Sequence, residues 1–195
     1  MIAGGTRSTY PILLASACAL LVALPFVTTF NDFLTAGAMK LGIAGPVQLI
    51  ADGEARMAVS VLALFGIKAG VAGNGYLVIT TWTHQSQTIF ISWNCIGWQS
   101  LVLLGLSLFT GLRGNYSWMA KVQVVLIGTL GTVFVNLFRV TAVCLLAATA
   151  GYLPAILFHD YGGTLLIVGW LFVFWALAYR WILGSESESA ADAAA

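Results

Sequence analysis

Three side chains able to do chemistry stand out in a chain with few polar ones: Cys95, Arg139 and His159. Cys95 lies between Asn94 and Ile96-Gly97 at the head of a long apolar run. A helix starting there would offer unpaired N–H groups and a partial positive charge, which favour a nucleophilic thiolate and suit an oxyanion. Arg139 has apolar sequence on both sides. An arginine at mid-membrane depth costs about 2.5–3.5 kcal/mol on insertion scales, so its presence points to a functional partner. Asn136, three residues earlier, shares its helical face and could orient the guanidinium or bind a substrate backbone. His159 is suited to carry a proton near neutral pH.

Each residue also has a plainer reading. A lone cysteine in apolar sequence usually packs as a small hydrophobe, as Cys18 and Cys144 are read here. Arg139 could be a snorkelling anchor, and His159 an interfacial histidine. Asp160 follows His159, but neighbouring side chains on a regular element point apart, so no Cys-His-Asp triad is expected. His84 is a weaker candidate base. The three cysteines form neither a disulfide framework nor a zinc pattern, and no metal or cofactor is expected.

The elements that must position these groups are membrane helices. The chain has 195 residues, of which 60% are hydrophobic and 8% charged; soluble domains carry about 25% charged residues. With a net charge of +1, nothing points to nucleic acid. The pattern predicts an all-α polytopic membrane protein with about four spanning helices in one domain over 1–184. The spans are expected at 10–30, 96–112, 122–138 and 163–180. The first follows Arg7 and is longer than a signal-peptide core, so it is read as retained. Residues 33–50 contain Lys40 and the Gly45-Pro46 breaker and are expected to form an interfacial helix, with another near 54–66. Segments 76–81 and 88–93, rich in β-branched and aromatic residues, predict a short extracytoplasmic β-hairpin joined through 82–87. The small, acidic tail 185–195 is read as disordered and cytoplasmic.

With a cytoplasmic N-terminus, Arg7, Arg113, Lys121 and Arg180 all flank spans on the cytoplasmic side. Cys95, Arg139 and His159 then share one depth, at the outer membrane face, and both termini are inside.

The motifs Asn94-Cys95-Ile96-Gly97 and Asn136-Leu137-Phe138-Arg139, followed by His159 with Gly162-Gly163 beyond, resemble the exosortase/archaeosortase family. That family has a Cys-x-Gly motif, an Asn-x-x-Arg motif and a later His at outer helix ends. The resemblance spans roughly residues 55–180; larger members have several further N-terminal spans. It implies a multi-pass cysteine transpeptidase of a prokaryotic cell membrane, with its site on the extracytoplasmic side. Such an enzyme cleaves secreted proteins carrying a short C-terminal motif, a transmembrane helix and a basic cluster. It transfers the product through a thioester to a lipid or cell-surface acceptor. By this resemblance Cys95 is the nucleophile, Arg139 the transition-state stabiliser and His159 the acid/base. Two alternatives stay open: an interfacial cysteine protease releasing its product by hydrolysis, and a small transporter or channel subunit with Arg139 and His159 lining a polar path.

Overall fold

The computed structural model describes residues 25–81 and 84–184. Most of the expected first span, the acidic tail and two residues of the hairpin connection lie outside the described residues. The chain divides into two compact units, residues up to Leu41 and residues from Gly42. In the first, helix α1 (Pro25–Lys40) carries the chain ten residues beyond the expected end of the first span at Phe30. One acidic residue, Asp32, does not stop a segment that is otherwise uncharged up to Lys40.

The second unit opens with α2 (Ala44–Leu64), which begins ten residues before the helix expected near 54–66. Gly45-Pro46 falls in its first turn, where proline costs no intrahelical hydrogen bond, so the anticipated breaker lies inside the helix start. The buried face of α2 is a stripe of small residues, Ala51, Ala55 and Ala58, interrupted by Glu54 and closed by Leu62. Small side chains at this spacing let another helix approach closely.

A three-stranded antiparallel sheet follows, ordered β1 (Ala69–Gly73), β2 (Tyr76–Thr80) and β3 (Ser86–Phe90). The hairpin is β2–β3, with Leu77 opposite Ile89 and Val78 opposite Thr88. The additional strand β1 has the sequence Ala-Gly-Val-Ala-Gly, which carries almost no β propensity and pairs only because β2 is beside it. Leu77 and Ile79 point inward and are fully buried. Two polar side chains of α2 tie down the ends of the sheet. Asp52 accepts from the Gly75 N–H at 2.6 Å. Gln48 donates to the Ile91 carbonyl at 3.1 Å and accepts from the Trp93 N–H at 2.7 Å. A side chain at Gly75 (φ 82°) would collide with the Ile91 carbonyl.

A 3₁₀ turn (Trp93–Ile96) leads into α3 (Trp98–Gly111). Helix α4 (Trp118–Thr149) has its Ser117 side chain capping the Ala120 N–H. A short α5 (Tyr152–Leu157) passes through a π-helical turn (Phe158–Gly162) into α6 (Gly163–Ala178), which ends in a second π turn. Three continuous helical segments, Trp93–Gly111, Trp118–Thr149 and Tyr152–Leu183, are long and apolar enough to cross a membrane. A fourth is added if 25–40 and 44–64 count as one broken span. At 1.5 Å per residue the two of 32 residues reach about 48 Å, more than the hydrocarbon core requires. Leu130, Phe134 and Phe172 remain 68%, 69% and 73% exposed, a surface suited to lipid. The protein is a polytopic membrane protein, and its described residues are mostly helical with one small sheet.

Two cores lie along α4. Its first half joins α3 and α6 around Leu104, Val124 and Phe174. Its second half, from Val140 to Ala148, packs on the α2 stripe and the sheet.

Candidate active site

Cys95, Arg139 and His159 line one small cavity of about 40 Å³, walled by Ile89–Ile91 and by Val140, Val143 and Cys144 of α4. Such a space holds little more than one small group. Cys95 comes from the 3₁₀ turn, Arg139 from the middle of α4 and His159 from the π turn.

Cys95 Sγ lies 3.4 Å from His159 Nε2, and His159 Nδ1 lies 2.9 Å from Asp160 Oδ1. An ionised carboxylate can only accept, so Nδ1–H donates to it and Nε2 is left facing the thiol, placed to share its proton. Sequence reasoning excluded this Asp160 contact because adjacent side chains diverge on regular elements. The segment is instead π-helical, and its irregular backbone lets the Asp160 carboxylate fold back onto the imidazole. The Ser92 hydroxyl, 4.0 Å from Sγ, is a second polar neighbour of the thiol and also accepts from the Asn94 N–H.

The thiol is not at the start of an α-helix, as the sequence reading had it. It lies in the 3₁₀ turn, two residues ahead of Gly97, and its own N–H already donates to the Ser92 carbonyl. The helix-terminus contribution to Cys95 therefore gives way to the direct imidazole contact. Gly97 adopts φ 79°, the left-handed region that favours glycine, and a Cβ there would stand 2.6 Å from Asn136. The backbone must be bare at this point for Asn136 to approach.

Asn136 is 2% exposed, and its amide nitrogen donates to Glu54 Oε1 at 2.6 Å and to the Cys95 carbonyl at 2.9 Å. It clamps the backbone that carries the thiol, a contact the sequence reading did not include. Glu54 was missed altogether, read as one charge among several on an interfacial helix. It is 6% exposed and faces the site from the small-residue stripe of α2. The signal that could have found it is the spacing Ala51, Glu54, Ala55, Ala58, one carboxylate on an otherwise apolar face.

Arg139 lies ten residues before the end of α4, inside a continuous helix and not at its terminus. Its Nη2 donates to the His159 carbonyl at 3.4 Å, and its Nε is buried without a partner among the described residues. Gly163, at the start of α6, leaves the space that the guanidinium stem occupies. His84 lines a different cleft, with Gly66, Lys68 and Thr80, and is not part of this site. Among the described residues no cluster of His, Cys, Asp and Glu has the composition to hold a metal ion.

A cysteine sulfur facing the second nitrogen of a carboxylate-held imidazole is the arrangement of a cysteine nucleophile with its base. A buried guanidinium donor in the same cavity can meet a developing oxyanion. No curated protein and no solved structure matches the chain. A family model does, described as transmembrane exosortase (Exosortase_EpsH), over residues 1–176. The match takes in the Cys95 and Asn136–Arg139 motifs together with His159, so the chain belongs to the transmembrane exosortase family, membrane enzymes that act on the sorting signals of secreted proteins.

Proposed function

We propose that this protein is a cysteine transpeptidase that cleaves a C-terminal sorting signal and transfers the new C-terminus to a lipid or cell-surface acceptor. The observation that carries the reading is the 3.4 Å approach of Cys95 Sγ to His159 Nε2 while Nδ1 is held by Asp160. The thiol proton moves to Nε2 as sulfur attacks the scissile carbonyl, forming the C–S bond. The oxyanion is met by the Arg139 guanidinium, a donor of a kind worth about 3–4 kcal/mol in the transition state. The C–N bond then breaks, and the imidazolium returns its proton to the leaving amine, leaving a thioester on Cys95. An acceptor nucleophile gives its proton to Nε2, attacks the thioester and releases the thiol. Asp160 keeps the imidazole in one tautomer throughout, and the Asn136–Glu54 clamp holds the Cys95 backbone. The site faces the extracytoplasmic side, because Arg113, Lys121 and Arg180 gather at the opposite ends of the spans.

The test pairs the enzyme with a secreted protein of the same organism that ends in an apolar helix and basic residues. Mass spectrometry of the product should show loss of the tail and a covalent addition. A plain carboxylate would mean that water is the acceptor and the enzyme a protease. Cys95→Ala should leave the substrate intact while the protein stays in the membrane; continued cleavage by that variant would rule out the cysteine mechanism.

A further inference from the structure

The cavity at Cys95 has room for a reacting carbonyl but not for a recognition motif, so the surroundings must supply the substrate's binding site. A larger cleft of about 330 Å³ opens beside it and shares Ile89, Phe90, Val143 and His159 with it. One wall is β3; the other comes from α4, α5 and the π turn, apolar at Val143, Ala147, Ala155 and Ile156 and polar at Tyr152, His159 and Asp160.

Strand β3 is the last in the sheet. The Thr81 N–H donates to the Gln85 carbonyl at one end of the hairpin, and the Ile91 N–H donates to the Gly75 carbonyl at the other. Antiparallel pairing alternates, so counting in twos turns the backbone groups of Gln87 and Ile89 toward β2. Those of Ser86, Thr88 and Phe90 face the open edge, and none of the described residues pairs with that edge. The opposite edge is blunted by a bulge between Val71 and Gly73 and by Lys68 at its start. The β3 edge has neither bulge, lysine nor proline. Such a row of free donors and acceptors is a template for an extended chain.

We propose that the open edge of β3 binds the substrate's scissile region as an added β-strand. The backbone groups of Thr88 and Phe90 hydrogen-bond an extended peptide, whose small apolar side chains on one face meet Val143, Ala147 and Ala155. Continuity of the two clefts then leads the peptide's carbonyl to Cys95. This rests on the catalytic reading above.

The test uses the purified full-length protein and two probes that alkylate a thiol with loss of chloride: acetyl-Val-Ala-Val chloromethyl ketone and chloroacetone. Each forms a C–S bond to Cys95, followed by mass spectrometry of the Cys95 peptide. Two added backbone hydrogen bonds should make the peptide probe react about tenfold faster. The gain should vanish in Thr88→Pro, which removes an N–H that points away from β2 and so spares the hairpin. It should also vanish when alternate amides of the probe are N-methylated, but not the intervening ones. Equal rates for the two probes would overturn the docking site while leaving a reactive Cys95 and the catalytic reading intact. So would a gain that survives either Thr88→Pro or every N-methylation. Should Thr88→Pro change the chloroacetone rate, its fold is altered, and the N-methyl series on the unaltered protein decides. A Cys95 that reacts with neither probe would remove the catalytic reading and the docking site together.

Discussion

Along its first half, α4 is packed by aromatic rings set against bare backbone. Trp170 lies on Gly131 and Phe174 on Gly128, while Trp175 fits over Gly111 of α3. The polar atoms in this region are used up in pairs: the Trp170 indole donates to Thr132 and the Trp175 indole to Ser107. Along its second half the same helix meets the alanine stripe of α2 and the sheet, and several buried polar atoms are left without partners among the described residues. Glu54 Oε2, Asn136 Oδ1 and Arg139 Nε are among them. The aromatic half has its indole hydrogen bonds made, as a scaffold requires. The alanine half leaves polar capacity unspent, at Arg139 in the cavity itself and at Glu54 and Asn136 behind the Cys95 backbone, a cost tolerated where function needs it.

The contrast breaks most sharply at Arg139. Arg139→Lys keeps the charge but loses the planar fork, and processing should fall by about 10²–10³-fold. The protein should remain at wild-type levels in the membrane, as a blot of the membrane fraction would show. Asp160→Asn tests whether the imidazole is oriented by its neighbour. An exposed position predicts a stability change within about 0.5 kcal/mol, and loss of the tautomer lock predicts a fall of about 10–100-fold in processing rate. Equal rates would mean that the contact is incidental. Glu54→Leu leaves Asn136 to hold the Cys95 carbonyl alone. Processing should drop about tenfold, with a stability loss of about 1–3 kcal/mol by thermal unfolding in detergent. Trp175→Phe should be mildest, costing about 0.6–1.7 kcal/mol of stability for one interhelical bond and leaving processing unchanged. A loss of processing in that variant would show that the two halves are coupled.

What could be read from the residues follows the same division. The spans from α3 onward were legible because apolar runs bounded by Arg113, Lys121 and Arg180 tolerate few alternatives. Cys95, Arg139 and His159 were legible as rare reactive groups in apolar sequence, and the structure puts them in one cavity. Glu54 was not, because its neighbours Asp52 and Arg56 make it look like part of a solvated face until α4 covers it. The Asp160 contact was hidden by a rule for regular helices that the π turn escapes. The limits of α4 were hidden too: nothing polar after Arg139 marks an end, and the helix runs on to Thr149. Strand β1 is invisible in isolation, since Gly70 and Gly73 argue against a strand and only β2 recruits it.

The uninterrupted course of α4 turns it into a ruler. From Trp118 to Arg139 the helix rises about 32 Å, close to one hydrocarbon thickness. On the proposed function, a client whose own apolar helix has that length would bring the residues just past its end level with the thiol. Adding one helical turn to the client would carry its cleavage point about 5 Å beyond reach. Selection by tail length would thus be built into the enzyme before any side chain of the client is read.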